Sequence, residues 1–175
     1  MIVVYVILGL FVLFFLYIGT RKGKFSYQVT EKFEAPASVI FPYLRDLTLG
    51  SQWSPFEKVD PNLKREYIGP SNQVGGKLVF QGNREAGSGS IEILKIEENK
   101  IVELRLIMTA PFPADNIVRY ELKEEVDGTL LSWTMSGDGG YLGKFLTFFV
   151  DCEKLVTDQF RAGLVNLKNL IEEAK

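Results

Sequence analysis

The chain opens on an unbroken apolar run and then changes to alternation. From Ile2 to Gly19 every residue is apolar, aromatic or glycine. About 18 residues at ~1.5 Å each make a helix of roughly 27 Å, close to the ~30 Å hydrocarbon layer of a bilayer. In lipid a helix satisfies its own backbone, which a loop or lone strand cannot do. Tyr5 and Tyr17 stand near the two ends, where amphipathic rings favour the interface. A cleaved signal peptide would want a basic leading segment, a shorter apolar core and a small-residue cleavage site, and Tyr17-Ile18-Gly19-Thr20-Arg21 supplies a poor one. A buried core helix of this length would show a polar face. The run therefore predicts a membrane anchor over residues 1–20 (residues 2–19 in the membrane), a basic flank over 21–24 and a folded domain over 25–175. Arg21, Lys22 and Lys24 are the only basic flank, which predicts a single-pass protein with its domain on the cytoplasmic side.

Past Lys24 the period becomes two. Phe25, Tyr27, Val29 and Phe33 mark a first strand over Phe25 to Glu34. Ala35-Pro36-Ala37-Ser38 then opens a short helix carrying Val39, Ile40, Phe41, Tyr43 and Leu44, with Pro36 in a first-turn position. A second short helical turn leads to Trp53, and a proline-punctuated loop runs to Pro61. Strands follow over residues 63–68, 77–81, 88–97, 101–108, 116–124 and 129–136, parted by turn signals such as Gly69-Pro70, Gly82-Asn83 and Asp127-Gly128. Consecutive strands on short turns predict an antiparallel meander. Val102, Leu104, Leu106 and Met108 oppose Glu103 and Arg105; Val118, Tyr120 and Leu122 oppose Arg119, Glu121 and Lys123; Leu131, Trp133 and Met135 oppose Ser132 and Thr134. A sheet with one apolar face needs a cover. Tyr141 to about Ala174 supplies it, with Leu142, Phe145, Phe149, Cys152, Val156, Phe160, Leu164, Leu167 and Ile171 at helical spacing, widened by Phe148, Leu155 and Leu170. The fold class is α+β: a curved antiparallel sheet of about seven strands, ordered β-α-α-β6-α, around one long C-terminal helix and preceded by a transmembrane helix.

Composition narrows the chemistry. Every Asp, Glu, Lys and Arg lies after Thr20, yet the net charge is only −2, so the domain has no basic face to displace counterions from nucleic acid. There is no histidine, which removes Ser-His-Asp and Cys-His triads, most zinc sites and the usual base near neutrality. Cys152 is the only cysteine, so no intrachain disulfide and no cysteine-rich metal site can form. No cofactor and no metal are expected. No glycine pattern opens a helix as a phosphate loop does.

Four motifs stand out: Trp53-Ser54-Pro55-Phe56-Glu57-Lys58-x-Asp60-Pro61, Gly82-Asn83-x-Glu85-x-Gly87-x-Gly89, Trp133-Thr134-Met135-x-Gly137 and Phe160-x-x-Gly163-Leu164-x-Asn166-Leu167-Lys168. With the element order, they resemble the START-like helix-grip superfamily, and within it the SRPBCC group of polyketide cyclase/dehydrase and lipid transport proteins, over nearly everything from Phe25 onward. The resemblance implies a deep apolar cavity between sheet and long helix, and a lipid-like or other apolar small molecule as its occupant. Members include carriers, receptors and aromatase/cyclases, so the motifs speak for fold more than for chemistry.

The residues that would line such a cavity are Tyr67, Phe80, Leu104, Leu106, Tyr120 and Trp133 on strands, Phe145, Phe149, Cys152, Val156, Gln159 and Phe160 on the helix, and Trp53 and Phe56 in the loop. Most have an ordinary alternative. The helix face serves equally as plain core. Gln159 falls inside the apolar stripe, where a buried amide must find partners in a strand backbone or a ligand. Gly163, costly in a helix interior, implies close approach to the sheet. Trp53 is either a lid or a plug for one end of the sheet. Glu57 and Glu85 are the loop carboxylates that desolvation could turn into bases, with Tyr67 and Tyr120 as their only partners; a surface pair of Arg84 with Glu85 is the simpler reading. The expectation is a membrane-tethered binding domain rather than an enzyme. The alternatives are a cyclase-like catalyst, if Tyr and Glu groups converge in an open cavity, and a protein-interaction domain, if the interior is filled.

Overall fold

The computed structural model describes residues 2–20 and 23–173; of Ile2, Val6, Leu142, Leu146, Phe148 and Phe149 it describes the backbone alone. Arg21 and Lys22, on which the predicted orientation rests, lie outside the described residues. Helix α1 (Ile2–Thr20) is followed by strand β1 (Lys24–Phe33), helix α2 (Ala37–Arg45), a 3-10 turn (Leu47–Leu49) and the short helices α3 (Gly50–Trp53) and α4 (Pro55–Lys58). Strands β2 (Lys64–Ile68), β3 (Lys77–Gln81), β4 (Ser88–Glu97), β5 (Ile101–Ala110), β6 (Ala114–Glu125) and β7 (Gly128–Asp138) come next, then helices α5 (Gly140–Phe149) and α6 (Cys152–Glu173).

All seven strands form one antiparallel sheet in the order β1-β7-β6-β5-β4-β3-β2. The meander β2 to β7 is joined by β1 along ten rungs, from Lys24 opposite Asp138 to Phe33 opposite Thr129. The sheet's faces separate as the alternation demands. On the outer face Arg105 chelates Asp115 with bonds of 2.9 and 2.6 Å, and Arg119 reaches both Glu103 and Glu121 at 3.3 Å. The inner face is covered by α6 and closed at one end by α2, whose Ile40, Phe41 and Leu44 are buried.

Two expectations are corrected. Residues 55–58 of the predicted loop, Phe56 among them, form the short helix α4, which Pro55 opens. The tail is two helices, parted at Val150 and Asp151, because the Asp151 carboxylate accepts the Lys154 backbone N–H at 2.9 Å and caps α6. Helix α6 grips the sheet. Helix α5 turns to α1 instead: the Phe145 and Phe15 rings stack at 6.4 Å and 4°, the Tyr141 hydroxyl donates to the Phe15 carbonyl at 2.8 Å, and the Lys144 amine donates to the Gly19 carbonyl at 3.0 Å.

Helix α1 is long and apolar enough to cross a membrane: an 18-residue window, Val3–Thr20, has mean hydropathy 2.5 and is almost wholly exposed.

Packing along the inner face is graded. Thr129 and Leu131 on β7 are fully buried and Trp133 nearly so, while Met135 is partly open. On β5 the sequence Val102, Leu104, Leu106, Met108 runs the same way, and on α6 so does Ile171, Leu167, Phe160, Val156, Cys152. The tight end holds α2. The loose end is where β7 passes into α5 and where β1 follows α1.

Candidate functional site

A cavity of about 310 Å³ occupies the loose half of the grip. Its floor is Leu104, Leu106 and Met108 of β5, Asn116, Val118 and Tyr120 of β6, and Trp133 and Met135 of β7; its roof is Val156 and Phe160 of α6; Phe80, Glu85, Ala86, Phe56 and Glu57 stand along one side. The volume is at the small end of the ~300–1,000 Å³ usual for ligand sites, enough for one compact apolar body.

An aromatic cluster forms one wall. Trp133 lies flat against Phe160 (4.2 Å, 11°), with Tyr120 tilted at 5.3 Å and Phe56 edge-on to both Trp133 and Phe160 at 6.1 and 6.3 Å. Phe56 is 43% exposed, so it sits between this cluster and water. Gly163 explains how the helix comes so close: a Cβ there would stand 2.7 Å from Trp133 Cζ3 and 3.0 Å from Pro55 Cδ. The Trp133 indole N–H is buried without a hydrogen-bond partner among the described residues.

Several predicted lining residues stand elsewhere. Trp53 is a plug: it is 3% exposed, donates to the Tyr43 carbonyl at 3.1 Å and packs edge-on behind Tyr120 and Trp133. Tyr67 shares a face with Leu78 by register, but β2 is the outermost strand and leaves it 38% exposed, off the cavity wall. Phe145 went with α5 to α1. Cys152, in the first turn of α6, is partly exposed rather than buried and does not line the cavity. Gln159 is exposed, because the buried stripe of α6 runs through Thr157, Phe160, Gly163, Leu164, Leu167 and Ile171 and leaves it on the flank; Leu155 is exposed for the same reason. The Phe149 side chain lies outside the described residues. Phe56, Phe80, Leu104, Leu106, Tyr120, Trp133, Val156 and Phe160 do face the cavity.

The polar groups at the rim are mostly tied down. Glu57 pairs with Arg65 (Oε2 to Nε, 2.9 Å), while Arg65 also donates to the Glu57 carbonyl at 2.9 Å. Burial pushes the Glu57 carboxyl up, Arg65 pulls it back, and burial outweighs the pairing. Gly50 makes room for this, since a Cβ there would collide with Glu57 Oε1. Burial, reinforced by the Glu57 charge, pushes the Tyr120 phenol far up, so it stays protonated at neutral pH and has no use as a base. No ion pair joins Arg84 and Glu85 among the described residues, and Glu85 is exposed at the cavity's edge.

Asp60 was the residue the sequence hid. It is buried, accepts from its own turn at Asn62 N (2.9 Å) and reaches across to Asn83 N (2.7 Å), while the Asn83 side chain accepts from Glu85 N and Ala86 N, both at 2.9 Å. Two motifs distant in sequence are thus one knot that holds the rim. The spacing of Asp60 and Asn83, both short polar turn residues beside Pro61 and Gly82, was the available signal.

A sheet folded around a capped C-terminal helix, with an apolar cavity left in its looser half, defines a START-like helix-grip domain. The chain belongs to the polyketide cyclase / dehydrase and lipid transport family, whose model matches residues 24–172. Solved structures share the fold at low identity. Protein MLL2253 from Mesorhizobium loti is 16% identical, with a TM-score of 0.66 over 86% of this chain and 99% of its own. The protein SA2116 from Staphylococcus aureus is 11% identical (TM-score 0.65, 86% and 95% covered). The Aha1 dimer from Colwellia psychrerythraea is 17% identical (TM-score 0.61, 85% and 96% covered). No curated protein matches in sequence.

Proposed function

We propose that this protein is a membrane-tethered binding domain that holds one small apolar molecule. The observation that carries this is the position of the cavity: it occupies the end of the grip from which the chain leads to α1, the one helix among the described residues that is long and apolar enough to cross a membrane. A ligand taken from a bilayer is then within reach of the site without crossing much water. The lining supports an apolar occupant, since its two carboxylates, Glu57 and Glu85, stand at the rim and Glu57 is committed to Arg65. Binding is favoured over turnover because the lining is mostly apolar and the sequence holds no histidine to act as a base. The open interior speaks against a filled interaction domain.

The test is to purify the full chain in detergent from its own cells, record native mass spectra, and extract what it carries. A single apolar compound at unit stoichiometry is expected. Leu106→Trp, which fills the cavity, should abolish co-purification while leaving the thermal midpoint near that of the parent protein. A protein that comes out empty, with Leu106→Trp indistinguishable from it in lipid extracts, would sink the proposal. Turnover without lasting occupancy, lost in Glu57→Gln or Glu85→Gln at unchanged folding, would favour the cyclase-like reading instead.

A further inference from the structure

Helix α5 is fastened to α1, and its composition is unlike that of α6. Its ten residues, Gly-Tyr-Leu-Gly-Lys-Phe-Leu-Thr-Phe-Phe, hold a single charge, Lys144, whereas α6 opens on Glu153 and Lys154. The lone amine is directed to the Gly19 carbonyl, one of the last carbonyls of α1 that lack a partner within their own helix. A cation is favoured there by the helix dipole, and it keeps the charge at the level where α1 ends. Tyr141 and Phe145 reach deeper, to Phe15. Phe15 precedes Thr20 by about five residues, or ~7.5 Å along the axis, and interfacial helices lie ~5–10 Å into the headgroup and acyl boundary. Beside this contact an apolar groove is walled by Phe11, Phe15, Leu16, Gly19 and Tyr141. Tyr141 and the following Val150 are 48% and 42% exposed.

We infer that α5 is a second membrane-seated element, lying in the interfacial layer of the leaflet at the Thr20 end of α1, so that the domain is held against a lipid surface by two helices in a fixed orientation. This rests on the reading of α1 as a membrane span: a helix fastened to residues 15–19 of a spanning helix has lipid, not water, as its neighbour. The fixed orientation presents the loose end of the grip, with the cavity, to the bilayer.

The experiment uses the full chain in phosphatidylcholine vesicles. In a Cys152→Ser background, single cysteines replace Leu10 on α1, the exposed Thr147 on α5 and the exposed Glu121 on the outer sheet face, and each carries a nitroxide. Collision with dissolved oxygen, which concentrates in lipid, is compared with collision with an aqueous nickel chelate. Labels at Leu10 and Thr147 should both be several-fold more accessible to oxygen than to the chelate, and the label at Glu121 should show the reverse. A lipid-like Leu10 with a Thr147 as aqueous as Glu121 overturns the α5 assignment and leaves the anchor standing. An aqueous Leu10 overturns the anchor, and the α5 assignment with it.

Discussion

Beside Gly50 and paired with Arg65, the Glu57 carboxyl is under two opposed influences, and burial prevails. Its folded-state value lies above the ordinary 4.5. Such a group stabilises the fold fully below its unfolded value, and that contribution is lost as the pH rises through the folded one. The urea midpoint of the parent protein should therefore fall relative to that of Glu57→Gln as the pH is raised from below 4.5 to neutrality; a constant difference would show that the carboxyl is not displaced. Asp60 acts differently. Its two backbone bonds are charge-assisted and buried, so Asp60→Ala should cost about 1–3 kcal/mol and should expose residues 82–87 to proteolysis, while Asp60→Asn, which keeps an acceptor, recovers part of both. At this scale inward strand positions are legible in the sequence and helix margins are not. Alternation assigns Leu104, Tyr120 and Trp133 to the inner face without ambiguity. The 3.6 period leaves Gln159 within one residue's rotation of the stripe, and only the packing of Thr157 against the domain decides that it faces water.

Among elements, strands are legible to within about two residues at each end, because Gly, Pro, Asn and Asp punctuate a period of two. The tail is not. Phe145, Phe149, Cys152 and Val156 continue one helical period straight through Asp151, so periodicity alone joined α5 to α6, and the cap that parts them is a single side chain. The sequence also implied a cavity only through the family resemblance, since an inner face looks the same whether α6 packs tightly, as at Leu164 and Leu167, or loosely, as at Val156. Gly163 tests how tightly the helix is held. On an exposed helix Gly→Ala gains about 1 kcal/mol. Here the new methyl meets an indole already clamped by Phe160 and Tyr120, so Gly163→Ala should lower the urea midpoint instead of raising it. Asp151→Ala should cost about 1 kcal/mol through the lost cap, read as reduced helical ellipticity together with a lower midpoint.

For the whole molecule the basic flank predicts that a reporter active only in the cytoplasm will work when fused after Lys175, and activity only from an exported reporter would reverse the orientation. The connection between α1 and the sheet has a mechanical side as well. Strand β1 is an edge strand that begins a few residues after α1, and its first rung pairs Lys24 with Asp138. A pull on α1 would load that rung first and open the ladder in sequence, the way a zipper parts, which is the weakest direction for a pair of strands. The far side of the same rung leads directly into α5, and Tyr141 and Lys144 grasp α1 itself. Drag on the domain would therefore pass from α1 to both strands of the pair at once, and less of the tension would fall on the seam between them.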